Sequence, residues 1–362
     1  MNETFLTLHI GSSAIRGTLT KMEAGVPAII FSEKEMIAYR EEVEGEHLWH
    51  ETKKAIDILI RKLFKARLQR PDKIYCVLSS PWYISELRSL RLNEDAPLKF
   101  TNQLASDLLK KEAEIFTKEN LHQYGDLEQG IMEPVEMKTI RTYLNGYETT
   151  SPFDQKAKEI KMDIFISLAP RENLNVIKEI IHRHFPMSEI HFSTFAFASF
   201  MAARDMFPEE DFLLVSVDGE ITDISMIKKA GIVAQASFPL GINGLSRVIG
   251  GKIGKSLPEA STLISVALRG HAAPLAIKKL ESSVNIYRDK WIEGFEETLS
   301  RFSQSVSIPH SVFLVTDDVF QNFFSETISY ERIHQYAWTE KKFKIKQLPI
   351  QMLLQLSLKR FV

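Results

Sequence analysis

The feature that most constrains this chain is a hairpin outline that it uses twice. Residues 4 to 19, TFLTLHIGSSAIRGTL, alternate around a Gly-Ser-Ser turn and read as strand, small-residue turn and returning strand. The outline recurs at residues 212 to 238. There the apolar run Phe212 to Val215 leads through VSVDGEITDI, read as a tight turn carrying Asp218 and Asp223, into SMIKKAGIVAQASF. The copies share an outline, and no repeat stands out by residue identity. A chain of 362 residues is too long for one ordinary core, so the recurrence predicts two lobes of related build, one of them carrying an insertion.

Hydrophobic periodicity fills in the rest. PAIIFSEKEMIAY supplies a third strand, and residues 47 to 69 place Ala55, Ile56, Leu59, Ile60, Leu63 and Phe64 at helical spacing, ended by Pro71. KIYCVLSSPWYISELRSLRL reads as a buried strand, a break and a further strand, and residues 101 to 122 as an amphipathic helix. From Pro134 the pattern changes to strand, Asn-Gly turn, long strand and a helix from Arg171 to Phe185, a small α+β unit set within the larger pattern. Later come a strand in SEIHFSTF, a short helix in AFASFMAARDMF, a helix over 275 to 305, a buried strand in SVFLVTDD, a helix in FQNFFSETI, a strand in KFKIKQLP and a closing helix in IQMLLQLSLKRFV.

Charge and composition exclude several classes. With 45 basic and 47 acidic residues there is no global field for nucleic acid, and no partner of that kind is expected. Cys76 cannot pair internally, which fits a reducing compartment, and neither a signal peptide nor a run of membrane-spanning length is seen. A cytoplasmic protein is expected, with membrane contact only peripheral or through a partner. His47 and His50 lie one helical turn apart without a further ligand nearby, and His182 and His184 face different ways, so no metal site is expected.

The order LHIGSSAIRGTL, VLSSPW, the segment from VEMKTIRTYLNGYETTSP to MDIFISLA, VSVDGEITDI, PLGINGLSRVIGGKIG and VFLVTDD resembles the bacterial actin homologues of the FtsA/PilM type over nearly the whole chain. The resemblance implies a two-lobed, actin-like (ribonuclease H-like) α/β fold with a small α+β insert. It places residues 1–131 and 186–208 in the first lobe, 132–185 in the insert, 209–243 and 306–362 in the second lobe, and 244–305 in a helical cap. The terminal helix is expected to close the fold.

In such a site two small-residue turns embrace the phosphates of ATP, and carboxylates position Mg²⁺ and water. The resemblance makes Gly11, Ser12, Ser13, Gly219, Thr222, Asp223, Gly241 and Gly244 the candidate nucleotide contacts, with Asp218 and Asp223 as the catalytic candidates. Several positions depart from the pattern. His9 stands where an acidic residue is usual, and a neutral imidazole is a poor partner for magnesium hydration. Asp218 stands where a glycine is expected, with Glu220 beside it, and Asp317-Asp318 replace a glycine pair. These departures weigh against an active ATPase. The expected role is a cytoplasmic scaffold for division or pilus machinery at the membrane, using the insert to meet protein partners and self-assembling into filaments. The alternative is an ATP-hydrolysing enzyme or small-molecule kinase of the same superfamily.

Overall fold

The computed structural model describes residues 3–23, 26–66, 69–121, 131–229, 231–271, 274–304, 306–330 and 342–354. The first hairpin is β1 (Thr4–Ile10) and β2 (Ala14–Glu23), with His9 opposite Arg16, and β3 (Val26–Met36) extends it antiparallel. Helix α1 (Gly45–Lys65) buries Ala55, Ile56, Leu59, Ile60 and Leu63. It approaches β2 where Gly17 has no side chain, since a Cβ there would meet Leu63 at 2.9 Å. The apolar KIYCVL then forms β4 (Lys73–Leu78), parallel to β1.

The next stretch leaves this sheet. Strand β5 (Ile84–Lys99), helix α2 (Asn102–Leu121), strands β6 (Met132–Leu144) and β7 (Tyr147–Thr149), and β8 (Lys156–Pro170) build a separate unit with strand order β5-β8-β6-β7. Asn145 and Gly146, both at positive φ, make the β6–β7 turn. Helix α3 (Arg171–His182) sends Leu174, Ile177, Ile180 and Ile181 into the first-lobe core. Strand β9 (Glu189–Thr194) completes the first sheet beside β4, and α4 (Phe195–Met206) leads out of it.

The second lobe repeats the first. Strands β10 (Phe212–Val217), β11 (Thr222–Lys228) and β12 (Gly231–Phe238) form the antiparallel part. Helices α5 (Ile242–Ile253), α6 (Leu257–Leu268) and α7 (Pro274–Ser303) follow. The lobe ends with β13 (Ser311–Val315), α8 (Gln321–Ile328) and β14 (Lys344–Leu348). The sheet order is β12-β11-β10-β13-β14, the same in position and sense as β3-β2-β1-β4-β9. The recurrent hairpin thus marks a duplicated five-stranded sheet.

Sheet pairing redraws two expected boundaries. Residues 84–121, assigned by sequence to the first lobe, belong with the insert, because β5 pairs along β8 from Ile84 opposite Leu168 to Lys99 opposite Lys156. Helix α3, assigned to the insert, covers the first-lobe sheet instead. The helices expected as a separate cap share one core with the second sheet, where Tyr287, Trp291 and Phe295 are fully buried with Val215, Ile224 and Leu314.

The lobes meet over a continuous apolar cluster. Phe195 and Phe200 of α4, Val77 of β4 and Phe165 of β8 join Phe212, Leu214, Phe313 and Val315 of the second lobe. Burying a side chain of this size stabilises by about 1.5–3 kcal/mol, so the cluster holds the lobes together strongly. Leu353 and Leu354 add to it, so the described start of the terminal helix closes the fold; residues 355–362 lie outside the described residues.

Candidate functional site: the cleft between the duplicated turns

The two hairpin turns face each other and touch. The Asp218 carboxylate accepts the backbone N–H of Ser12 on Oδ2 at 2.8 Å and the hydroxyl of Ser13 on Oδ1 at 2.6 Å. The backbone N–H of Glu220 donates to Ser12 Oγ at 3.0 Å. Three of the donors that two such turns would offer to a phosphate, the Ser12 and Glu220 N–H groups and the Ser13 hydroxyl, are therefore used between the turns.

The glycines follow the same logic. A Cβ on Gly11 would lie 2.4 Å from Asp218 Oδ2, one on Gly219 would lie 2.6–2.7 Å from the Ser12 backbone, and one on Gly241 would lie 2.3 Å from the Asp218 carbonyl oxygen. These positions need glycine because one turn stacks on the other and on the start of α5. There Ile242 and Asn243 donate their N–H groups to the carbonyls of Asp218 and Gly219. Gly244 is spent elsewhere, against the Tyr287 ring. Thr222 faces the second-lobe core, donating to the Leu240 carbonyl and accepting the Trp291 indole N–H at 3.0 Å.

Charges close the cleft on either side. From the second lobe, Asp317 accepts Arg16 Nη2 at 3.2 Å and Lys34 Nζ, both from the first lobe. Burial works to raise the Asp317 pKa, but Lys34 and Arg16 outweigh it and hold the carboxyl below its usual range. Glu220, which sequence reading counts as added repulsion, turns away and is held by Arg247 at 2.6 and 2.8 Å and by Asn243 at 2.8 Å. Arg247 also donates to the Arg40 carbonyl across the lobes.

Asp223 is half-buried and accepts the Ser80 hydroxyl at 2.8 Å across the cleft. Burial raises its pKa to about 7, against the Ser80 hydrogen bond and with help from the Asp218 charge. His9 bonds Ser79 at 2.8 Å; burial, then Arg16, lower its pKa to about 3, so the imidazole is neutral at pH 7. Between the turns a cavity of about 10 Å³ remains, barely the room one water needs, whereas nucleotide-sized ligands need several hundred. Among the described residues no group of three or more His, Cys, Asp or Glu could hold a metal. In this conformation the residues do not fit Mg·ATP, because Asp218 uses the phosphate donors and the opposite turn fills the space beside the glycines.

Sequence reasoning missed two residues that bridge the lobes and one that ties the insert to the first lobe. Arg16 and Lys34 bind Asp317 from strands whose sequence gives no hint of a partner, and Glu136 sits buried at the junction of insert and first lobe. Glu136 accepts Ser193 at 2.6 Å and Thr194 at 2.5 Å. Burial raises its pKa to about 7 against those hydrogen bonds. The one available signal was a glutamate in a strand interrupted by Pro134.

With this geometry in place, comparison defines the class: the chain has the two-lobed actin-like fold. The solved structure of a "PilM-PilN type IV pilus biogenesis complex" matches 100% of this chain and 98% of its own at a TM-score of 0.66 and 13% identity. An ethanolamine utilization protein, EutJ from Carboxydothermus hydrogenoformans, aligns over 100% of this chain and 91% of its own at a TM-score of 0.49 and 14% identity. No family model and no curated protein matches the chain.

Proposed function

We propose that this protein is a scaffold of the PilM type, acting on the cytoplasmic side of a membrane through protein partners and not through ATP turnover. Its whole-length likeness in fold to a pilus-assembly component supports the scaffold role. The observation that carries the proposal is the closed cleft, in which Asp218 takes the donors that ATP phosphates would need. Among the described residues no helix is long and apolar enough to cross a membrane; the proposed membrane contact is peripheral or through a partner. The insert is the proposed docking unit; Tyr147 beside the β6–β7 turn is 81% exposed, and Phe153 in the β7–β8 loop is 46% exposed. Self-assembly into filaments would use the same unit.

The proposal is tested by photo-crosslinking in the native cell, with the crosslinker at Tyr147 or Phe153 and, as control, at Ile286 on α7. Protein adducts are expected from the insert positions. Adducts from Ile286 alone would overturn the assignment of the insert.

Asp223 favours the rival reading, an ATP-using enzyme, because a cleft carboxyl with a pKa raised to about 7 suits a general base. Mg·ATP turnover lost in Asp223→Asn would establish it.

A further inference from the structure

We propose that Asp218 is a tethered oxyanion: its carboxylate occupies the nest that the two turns would present to a phosphate, and it keeps the lobes closed without any dissociable ligand. This deepens the scaffold reading, in which the molecule needs a fixed shape and no fuel, but it does not depend on what docks on the insert.

Four observations converge on it. Two carboxylate oxygens meet two donors from the opposite lobe, one a backbone N–H, which is how turns hold anions. The carboxylate lies in the space beside Gly11 that any side chain there would fill, so that glycine is required by Asp218 itself. The turn that delivers Asp218 is fixed from behind, because α5 donates two N–H groups to it and Gly241 presses against it. Finally, Arg16 and His9 line the same small cavity, and Arg16 Nη1 and His9 Nδ1 are buried with no hydrogen-bond partner among the described residues. A carboxylate has two oxygens to offer and a phosphate has more. The spare Arg16 donor is what a larger oxyanion would use and a carboxylate leaves over.

Arg16 and Lys34 both pair with Asp317, and Arg16 lines the small cavity together with Asp218 and a neutral His9. A polyanion reaching this nest would have to displace the Asp218 carboxylate.

The test uses the full chain with Asp218→Ala, in buffer containing chloride as the only anion. Thermal midpoint and radius of gyration by small-angle scattering are followed as formate or inorganic phosphate is added. The expected result is a lower midpoint and a larger radius than wild type, both restored saturably by the added anion, with phosphate more effective than formate. Wild type controls for the general stabilising effect of phosphate on proteins. In Asp218→Ala with Arg16→Met the advantage of phosphate over formate should vanish. If D218A does not fold, Asp218→Asn, which keeps the shape and removes the charge, should still melt below wild type. A charge-free variant with wild-type midpoint and radius, or a loss that neither anion restores, would overturn the proposal. Because neither readout involves the insert or a partner, that failure is separable from failure of the scaffold reading.

Discussion

At the residue scale, glycines in the cleft differ in what surrounds them, and their substitutions should separate accordingly. Gly219→Ala would drive a methyl to within 2.7 Å of the Ser12 backbone, and rigid backbone cannot yield. A loss of about 1–3 kcal/mol in denaturant unfolding is expected. Gly251→Ala, in α5 with nothing near its Cβ position, should gain about 0.5–1 kcal/mol from the better helix former. Glu136 makes a pH prediction. Its pKa rises from 4.5 to about 7 on folding, so the folded protein binds the proton more tightly than the unfolded chain. Its contribution is complete below pH 4.5 and declines as pH rises toward 7, by up to about 3 kcal/mol. Glu136→Gln should therefore be more stable than wild type at pH 8, with the advantage shrinking toward pH 5, in melts across that range. The need for small residues at Gly11 and Gly219 was legible in the sequence. What filled the space beside them was not, because a turn sequence carries no record of the group packed against it.

At the element scale, β6 ties the insert to both lobes through two irregularities. Its register shifts between Pro134 and Glu136 and again between Thr139 and Arg141, and such bulges re-aim side chains. The first accompanies Glu136 pointing to Ser193 and Thr194 at the end of β9. The second accompanies Arg141 reaching the Lys228 carbonyl in the β11–β12 turn, close enough that a Cβ on Gly231 would be 3.0 Å from both Arg141 and Ile140. Arg141→Ala should cost about 1 kcal/mol and speed amide exchange in the peptide around 228–238 more than in β1. Slower or unchanged exchange there would show that β6 is no strap. In α5, Arg247→Ala leaves the buried Glu220 carboxylate with only Asn243, and a loss of about 3 kcal/mol is expected in denaturant unfolding. Alternation predicted β5, β6 and β8 as strands. Which sheet β5 joins was hidden, because pairing along β8 depends on residues far away in sequence, as with Ile84 and Leu168, and β5 itself is largely exposed. The assignment of α3 to the insert failed for the same reason, since an apolar stripe states that a helix is covered and not by what.

At the scale of the molecule, the duplicated hairpin was the strongest guide, because one strand order built twice leaves few alternatives for the fold. The state of the cleft was less legible. Asp218 and Asp317 looked like obstacles to nucleotide, and they are better described as the groups that join the lobes. Together with the shared apolar cluster, they hold the two lobes in contact across the cleft. The most direct measurement is a calorimetric titration of the wild-type chain with Mg·ATP at pH 7. The account predicts no saturable heat. Saturable Mg²⁺-dependent binding of ATP to the wild-type protein would contradict it.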